Sequence, residues 1–168
     1  VLWQRDVDLE LLVMDDGSTD NSSKLLKTLA SQDHRLRLFS QEQEGLAKAL
    51  NRLMPHALAP VLARMDADDV SFPWRLRAQL DYLDRHPLVG VVGTWWCPWL
   101  GDDLSDRAGC YPDSHDWIRR QLERGRNVLV HSSIAMRRSV LPVDEDVYRF
   151  RWIQDYDLWL RLISRVRF

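Results

Sequence analysis

The residues best suited to chemistry in this 168-residue chain are three groups of carboxylates. The most compact is Asp66, Asp68 and Asp69 in the segment ARMDADDVSFP. Three carboxylates within four positions repel one another, and a bound cation would offset that repulsion. Magnesium or manganese suits such oxygen ligands, because these hard ions use one or two protein carboxylates and complete their shell with substrate phosphates and water. A solvated acidic turn is the alternative.

This acidic segment does not fit the calcium-binding loop of an EF-hand. Val70 stands at the third ligand position of that loop, and Ser71 replaces its glycine. Arg77 occupies the position of the bidentate glutamate. The EF-hand interpretation is therefore excluded.

The second group, Asp15 and Asp16, precedes Gly17 in the segment DDGSTD, directly after an apolar run. Open α/β sheets bind their ligands where parallel strands end. A carboxylate there can accept hydrogen bonds from a ribose or from a base N–H, and the glycine permits a tight turn. A helix cap is the alternative, because Asp and Ser are preferred cap residues.

The third group, Asp155 and Asp157, lies in QDYD ahead of the last apolar helical pattern. Either carboxylate could act as a general base, and either could equally cap the helix. His131, which two serines follow, is either a contact for phosphate or metal or an ordinary histidine of the core or a sheet edge. A cluster of three tryptophans is formed by Trp95, Trp96 and Trp99. Their rings could stack on a sugar or fill a core.

Alternating strand and helix patterns along the chain predict an α/β fold with a mostly parallel sheet covered on both faces. Strands are predicted in residues 9–13, 35–39, 61–65, 88–93 and 127–136. Helices are predicted after Asp20, from Leu46, from Pro73, over Trp117–Glu123 and after QDYD. The pattern shows no domain boundary. These elements place the first two carboxylate groups at strand ends.

The composition limits the classes of function. There are 23 Lys and Arg against 25 Asp and Glu, so the formal charge is −2 and offers no basic field for nucleic acid. Hydrophobic residues make up 45% of the chain, which is enough for the core of one globular domain. No apolar run reaches the ~18 residues that a membrane-spanning helix requires.

Five segments together carry a family resemblance. In chain order they are LELLVMDDGSTDNS, EGLAKALN, ARMDADDVSFPWRL, HSSIAMRRSVL and QDYDLWLRL. In this order and spacing the chain resembles the family 2 inverting glycosyltransferases of the GT-A fold, over nearly all of its length. The resemblance implies one Rossmann-like catalytic domain over residues 1–168, lacking the first strand and helix with which the family normally begins.

The resemblance also implies roles for individual carboxylates. Asp16 would bind the base of a nucleotide-sugar with Asp15 beside it, and Asp66 would lie near the ribose. Asp68 would hold Mn²⁺ or Mg²⁺. Asp155 would be the catalytic base, although the residue before it is Gln154 where the family usually has Glu.

The reaction implied is inverting transfer of a sugar from a nucleotide-sugar, with a UDP-sugar favoured, to a hydroxyl of a saccharide or a lipid-linked acceptor. The setting implied is cell-surface polysaccharide or glycolipid assembly in the cytoplasm, at the inner face of the cell membrane. Any membrane association would involve segments outside this chain.

Three other classes of protein fit the sequence less well. A haloacid-dehalogenase-type phosphotransferase needs an aspartate where this chain has Met14. A sugar nucleotidyltransferase would be expected to carry a glycine-rich basic loop near its start. A non-catalytic nucleotide-sugar-binding module would have no physical reason to retain Asp16, Asp68 and Asp155 together.

Overall fold

The structure is a computed structural model that describes residues 1–100, 103–104, 109–110 and 114–168. The helices are α1 (Ser22–Gln32), α2 (Leu46–Leu53), α3 (Arg75–Arg85), α4 (His115–Glu123) and α5 (Gln154–Leu162). The strands are β1 (Leu11–Asp16), β2 (Leu36–Gln41), β3 (Val61–Ala63), β4 (Val91–Val92), β5 (Trp99–Leu100), β6 (Asp103–Leu104) and β7 (Ala135–Arg137). Together they form an α/β fold, which confirms the predicted class.

The first half of the chain opens with a β–α–β unit. β1 and β2 pair in parallel, with Leu11 opposite Leu36 and Asp16 opposite Gln41, and α1 makes the crossover between them. Parallel strands require such a crossover. The register places the Asp16 carboxylate beside the Gln41 side chain at the carboxyl end of both strands.

A second sheet has the order β3, β7, β4, and β7 is antiparallel to both neighbours. β3 and β4 therefore run in the same direction, as predicted, whereas β7 runs against them. The strand predicted over residues 127–136 is shorter than expected, because residues His131–Ser133 form a 3₁₀ turn and only Ala135–Arg137 pair. Hydrophobic pattern reports burial and says nothing of the direction in which a strand enters a sheet.

Three helix starts also differ from the prediction. α4 begins at His115, two residues before the predicted Trp117. α3 begins at Arg75, two residues after Pro73. α5 begins at Gln154, so Asp155 and Asp157 lie inside its first turn and neither caps it. The cap position is Ile153, whose φ of 54° lies in the left-handed region that branched side chains disfavour.

The core lies between the second sheet and the helices α4 and α5. Its fully buried side chains include Leu83, Val91, Leu122, Ile134, Met136, Leu158, Trp159 and Leu162. The Trp159 ring meets the Phe168 ring edge to face with their centroids 6.0 Å apart. This burial fixes the axis of α5 and therefore the place of its first turn. No helix in the described ranges combines the length and apolar character needed to cross a bilayer.

A buried glutamine fastens α3 to the second sheet. Gln79 is 2% exposed, and its Nε2 donates to the carbonyls of Val92 at 3.1 Å and Ser133 at 2.8 Å. Its Oε1 accepts from Nε of Arg75 at 3.2 Å. One side chain thus satisfies main-chain groups of β4 and of the turn before β7.

Replacement of Gln79 by alanine is expected to lower the free energy of unfolding by about 2 kcal/mol more than the same change at Gln32, because it leaves buried carbonyls without donors. Gln32 is an exposed residue of α1, so Gln32→Ala removes the same side chain from a helix without that loss. Urea unfolding of both variants measures the difference. Equal losses would show that the Gln79 hydrogen bonds contribute nothing.

Candidate active site

The Asp15 carboxylate closes the turn that follows β1. Asp15 is 6% exposed, and its Oδ1 accepts a hydrogen bond from the backbone N–H of Ser18 at 2.9 Å. The hydroxyl and the backbone amide of Ser18 hold the pKa of Asp15 below its usual range. The carboxylate therefore stays ionised beneath the turn, where it stabilises the main chain.

The neighbouring carboxylate of Asp16 reaches across to the loop between β2 and α2. Its Oδ1 accepts from Nε2 of Gln41 at 2.6 Å and from the N–H of Glu44 at 2.9 Å, and its Oδ2 accepts from the N–H of Gly45 at 2.8 Å. Burial alone would raise the pKa of Asp16, but these three hydrogen bonds outweigh it and lower the pKa. Asp16 thus anchors the start of α2.

Gly17 is a position that no other residue fills without strain. Its φ is +74°, and a Cβ there would lie 2.9 Å from the backbone nitrogen of Gln43. The turn after β1 is therefore pressed against the loop after β2. The two strand ends form one continuous surface, with Asp16 bonded across it.

The acidic segment after β3 forms a turn that an arginine holds on its inner side. The Asp69 N–H donates to the Asp66 carbonyl at 3.3 Å, and Asp68 and Asp69 are exposed. The guanidinium of Arg64, whose side chain is 9% exposed, forms an ion pair with the half-buried Asp66. Asp66 is therefore neutralised from within the protein, and Asp68 lies open to solvent.

Arg75, the first residue of α3, fixes the main chain beneath this turn. Its Nη2 donates to the carbonyls of Arg64 at 2.8 Å and Ile134 at 3.4 Å. Burial lowers the pKa of Arg75, and the charge of Asp69 opposes that shift. The segment after β3 is thus tied to the residue that leads into β7.

The two carboxylates on the first turn of α5 have different partners. Asp157 pairs with Arg149 at 2.6 Å and Arg161 at 2.9 Å; burial would raise its pKa, but these partners lower it. The Oδ2 of Asp155 accepts from the neutral amide of Asn127 at 2.8 Å. Two arginines therefore occupy Asp157, which leaves Asp155 as the better placed of the two predicted bases.

His131 is acted on by charges from the first and third carboxylate groups, through Asp66 and Asp155. Its Nε2 is 2.9 Å from the hydroxyl of Tyr148. Burial, together with the charge of Arg64, lowers the pKa of His131 to about 4, although the carboxylates of Asp155 and Asp66 oppose the shift. His131 is therefore a neutral imidazole at physiological pH.

Tyr148 is held in place by a reciprocal pair of hydrogen bonds. The Asn51 side chain donates to the Tyr148 carbonyl at 2.9 Å and accepts from the Tyr148 N–H at 3.0 Å. Tyr148 is 3% exposed, and burial raises its pKa, so the phenol stays protonated. Asn51 thereby connects α2 to Tyr148, whose hydroxyl contacts His131.

The structure brings some of the predicted site residues together and keeps others apart. Asp66 and Asp155 both act on His131, whereas Asp16 is bonded to the start of α2 and Asp15 to the turn that precedes α1. Within the described residues, no three His, Cys, Asp or Glu side chains gather to hold a metal. A cation at Asp68 would therefore need oxygen ligands from its substrate and from water.

Sequence reasoning missed four residues of this region: Asn51, Arg64, Asn127 and Tyr148. Asn51 ends the segment EGLAKALN, and Arg64 lies two residues before Asp66, so both stood within segments already singled out but had no role assigned to them. No pattern in the sequence indicated the other two, because their partners lie 28 and 97 residues away along the chain.

The tryptophan cluster does not fill the core. Trp95 is 67% exposed and Trp96 is 40% exposed, and both line an open, mostly apolar cavity of about 290 Å³ together with Tyr82. Trp99 is 55% exposed. The role of these rings in stacking on a sugar stays a prediction.

Comparison with known proteins places these features in a family. The model of the family described as glycosyl transferase family 2 matches residues 1–142. The chain is 34% identical to EpsE of Bacillus subtilis over 170 residues, covering 98% of the chain and 59% of that protein. It is 29% identical to the amylovoran biosynthesis glycosyltransferase AmsE of Erwinia amylovora, covering 92% of the chain and 58% of that protein.

A further relative is the O-antigen biosynthesis glycosyltransferase WbnJ of Escherichia coli, which is 30% identical over 98% of the chain and 64% of its own length. The chain thus spans about three fifths of the length of these relatives. Among solved structures, it resembles the mannosyltransferase PcManGT from Pyrobaculum calidifontis, determined in complex with GDP-Man and Mn²⁺. That match has a TM-score of 0.58 at 21% identity and covers 85% of this chain and 41% of the other. It supports the GT-A fold, and the match to the family model establishes that this chain belongs to glycosyl transferase family 2.

Proposed function

We propose that this chain binds a nucleotide-sugar, with a UDP-sugar favoured, and transfers the sugar with inversion to an acceptor hydroxyl. The observation that carries the proposal is that Asp66 of the acidic turn after β3 and Asp155 of α5, which are distant in sequence, lie close enough to His131 for both charges to act on it. Family membership supplies the class of reaction. The names of AmsE and WbnJ support a role in polysaccharide assembly.

The chemistry requires a base opposite a leaving diphosphate. The oxygen of the acceptor hydroxyl bonds to the anomeric carbon as the bond from that carbon to the diphosphate breaks, and the configuration inverts. Asp155 takes the proton of the hydroxyl. The Oδ2 of Asp155 accepts from Asn127, so its Oδ1 is the oxygen proposed to receive that proton.

The acidic turn after β3 fits a divalent cation. Asp68 is exposed, and the charge of its neighbour Asp66 is already offset by Arg64. One exposed carboxylate with access to solvent suits Mg²⁺ or Mn²⁺, which would offset the charge on the departing diphosphate. The solved GT-A structure that the chain resembles contains Mn²⁺ with its nucleotide-sugar.

Asp16 has the capacity to bind the nucleoside. A carboxylate offers about four acceptor sites, and Asp16 uses three of them within the protein. The remaining site is available to a base N–H or a ribose hydroxyl. In the proposed complex Asp15 keeps the turn in shape beneath the nucleotide, and Asp66 lies near the ribose.

Nucleotide binding is expected to depend on manganese and on Asp68. Calorimetric titrations of UDP, GDP and dTDP into the protein, with and without Mn²⁺, measure this. Asp68→Ala should weaken manganese-dependent binding at least tenfold, about 1.4 kcal/mol, because it removes the exposed ligand. Asp84→Ala removes an exposed carboxylate from α3 and should bind as the wild type does. If none of the three nucleotides binds to the folded protein, the donor site does not exist.

Turnover is expected to require Asp155. With water as acceptor, release of nucleoside diphosphate from UDP-glucose, UDP-galactose or GDP-mannose should fall about 10²–10⁴-fold in Asp155→Asn, the usual loss for a general base. Nucleotide binding should be unchanged. Asp157→Asn is the matched control, which loses two ion pairs and stability but keeps kcat. If Asp157→Asn abolishes turnover and Asp155→Asn does not, the assignment of Asp155 as the base is refuted. Nucleotide binding without turnover in the wild type identifies a non-catalytic module.

Stability is expected to fall with acid because of His131. The imidazole has a pKa of about 4 in the folded protein and about 6.5 when unfolded, so the unfolded chain binds the extra proton first. Stability attributable to this group is complete above pH 6.5 and is lost as the pH falls towards 4, by about 2–3 kcal/mol between pH 7 and pH 4.5. Urea unfolding at both pH values checks this. The pH difference should shrink by that amount in His131→Asn, and parallel profiles for the two proteins contradict it.

A further inference from the structure

The contact between Asn127 and Asp155 joins two elements that are distant in sequence. Asn127 lies in the loop that leads from α4 towards His131, and Asp155 lies on the first turn of α5. The distance from Nδ2 of Asn127 to Oδ2 of Asp155 is 2.8 Å, the length of a good hydrogen bond to a carboxylate. The role inferred for this contact rests on the proposed function, in which Asp155 is the base.

The orientation of the Asn127 amide is set by its own main chain. Its Oδ1 accepts a hydrogen bond from the backbone N–H of Leu129 at 3.3 Å, which forms a local turn. With the oxygen directed to that N–H, the NH₂ group is the end that faces Asp155. The asparagine therefore presents a donor, and an aspartate at the same position would present only acceptors.

The loop that carries Asn127 is itself fixed against α5. The N–H of Gly125 donates to the Leu122 carbonyl at 3.0 Å, and the hydroxyl of Tyr156 donates to the same carbonyl at 2.5 Å. Gly125 has φ +81°, which lets the chain turn sharply at the end of α4. Tyr156 follows Asp155 directly. The Leu122 carbonyl therefore anchors both the loop that carries Asn127 and the helix turn that carries Asp155.

The first turn of α5 has no side-chain cap that could orient its carboxylates. Ile153 stands at the cap position in the left-handed region and provides no side-chain hydrogen bond to the helix. Asp157, two residues further along the helix, is oriented by two arginines, whose charges would weaken a base. A neutral donor orients Asp155 without neutralising it.

We propose that Asn127 is a positioning residue, which holds Oδ2 of Asp155 so that Oδ1 is directed to the hydroxyl that loses its proton. A general base must lie within about 2.6–3.2 Å of the proton donor, so a carboxylate free to rotate spends less time in a productive position. Loss of the amide donor therefore lowers turnover and leaves donor binding intact. The residue acts through Asp155 and does not touch the reacting atoms.

Two substitutions of different shape and chemistry test this role in the full chain. Asn127→Ala should lower kcat for release of nucleoside diphosphate from the nucleotide-sugar that the wild type hydrolyses by about 10-fold, with KM within twofold of the wild type. Asn127→Asp preserves the shape but replaces the donor by a charge that repels Asp155. It should lower kcat at least as far as alanine does.

A purely structural role predicts the opposite order, because the isosteric aspartate would then be the milder change. Asn127 is exposed, so both variants should keep the wild-type melting temperature. Arg126→Ala is the matched control in the same loop: its side chain bonds to Gln121 at 3.3 Å, and kcat should be unchanged. The proposal is overturned if Asn127→Asp is more active than Asn127→Ala, if both stay within twofold of the wild type, or if the loss appears in KM alone. Absence of turnover in the wild type itself would instead refute the proposed function.

Discussion

The hydrogen bonds that the Asp16 carboxylate accepts from the β2–α2 loop are the interaction on which the rest of the site depends. They hold the entry of α2, where Gly45 has φ +93° and supplies no side-chain cap. α2 in turn carries Asn51, whose side-chain amide forms two hydrogen bonds with the main chain of Tyr148. The hydroxyl of Tyr148 meets His131, whose pKa is influenced by the charge of Asp155. A single carboxylate at the end of β1 is thus linked through α2 to the other end of the site.

The carboxylates of the site divide by the kind of partner that satisfies them. Asp66 and Asp157 are paired with arginines, whereas Asp15, Asp16 and Asp155 accept hydrogen bonds from neutral groups. Arginine pairing offsets charge and lets acidic residues crowd together. Neutral donors hold a carboxylate in place and leave its charge available. The division explains how so many acids coexist in this region.

The sequence was sufficient for the fold class, the β–α–β unit and the position of the acidic groups, because hydrophobic periodicity and turn residues are local signals. It also supported the family, which the comparison confirmed. It was not sufficient for the antiparallel direction of β7 or for the start of α5 at Gln154. The ion pair of Arg64 and the amide of Asn127 were missed as well, since a hydrogen-bond partner is chosen by three-dimensional proximity and leaves no periodic trace.

The double hydrogen bond between Asn51 and Tyr148 has the geometry of a single rung of a sheet, with a side-chain amide in place of a second strand. The main chain at position 148 therefore has the local order of a strand although it belongs to no strand or helix. The residues on either side are held by α5, because Arg161 donates to the Val147 carbonyl and Arg149 pairs with Asp157. The tyrosine that meets His131 is therefore held between two helices although it belongs to neither.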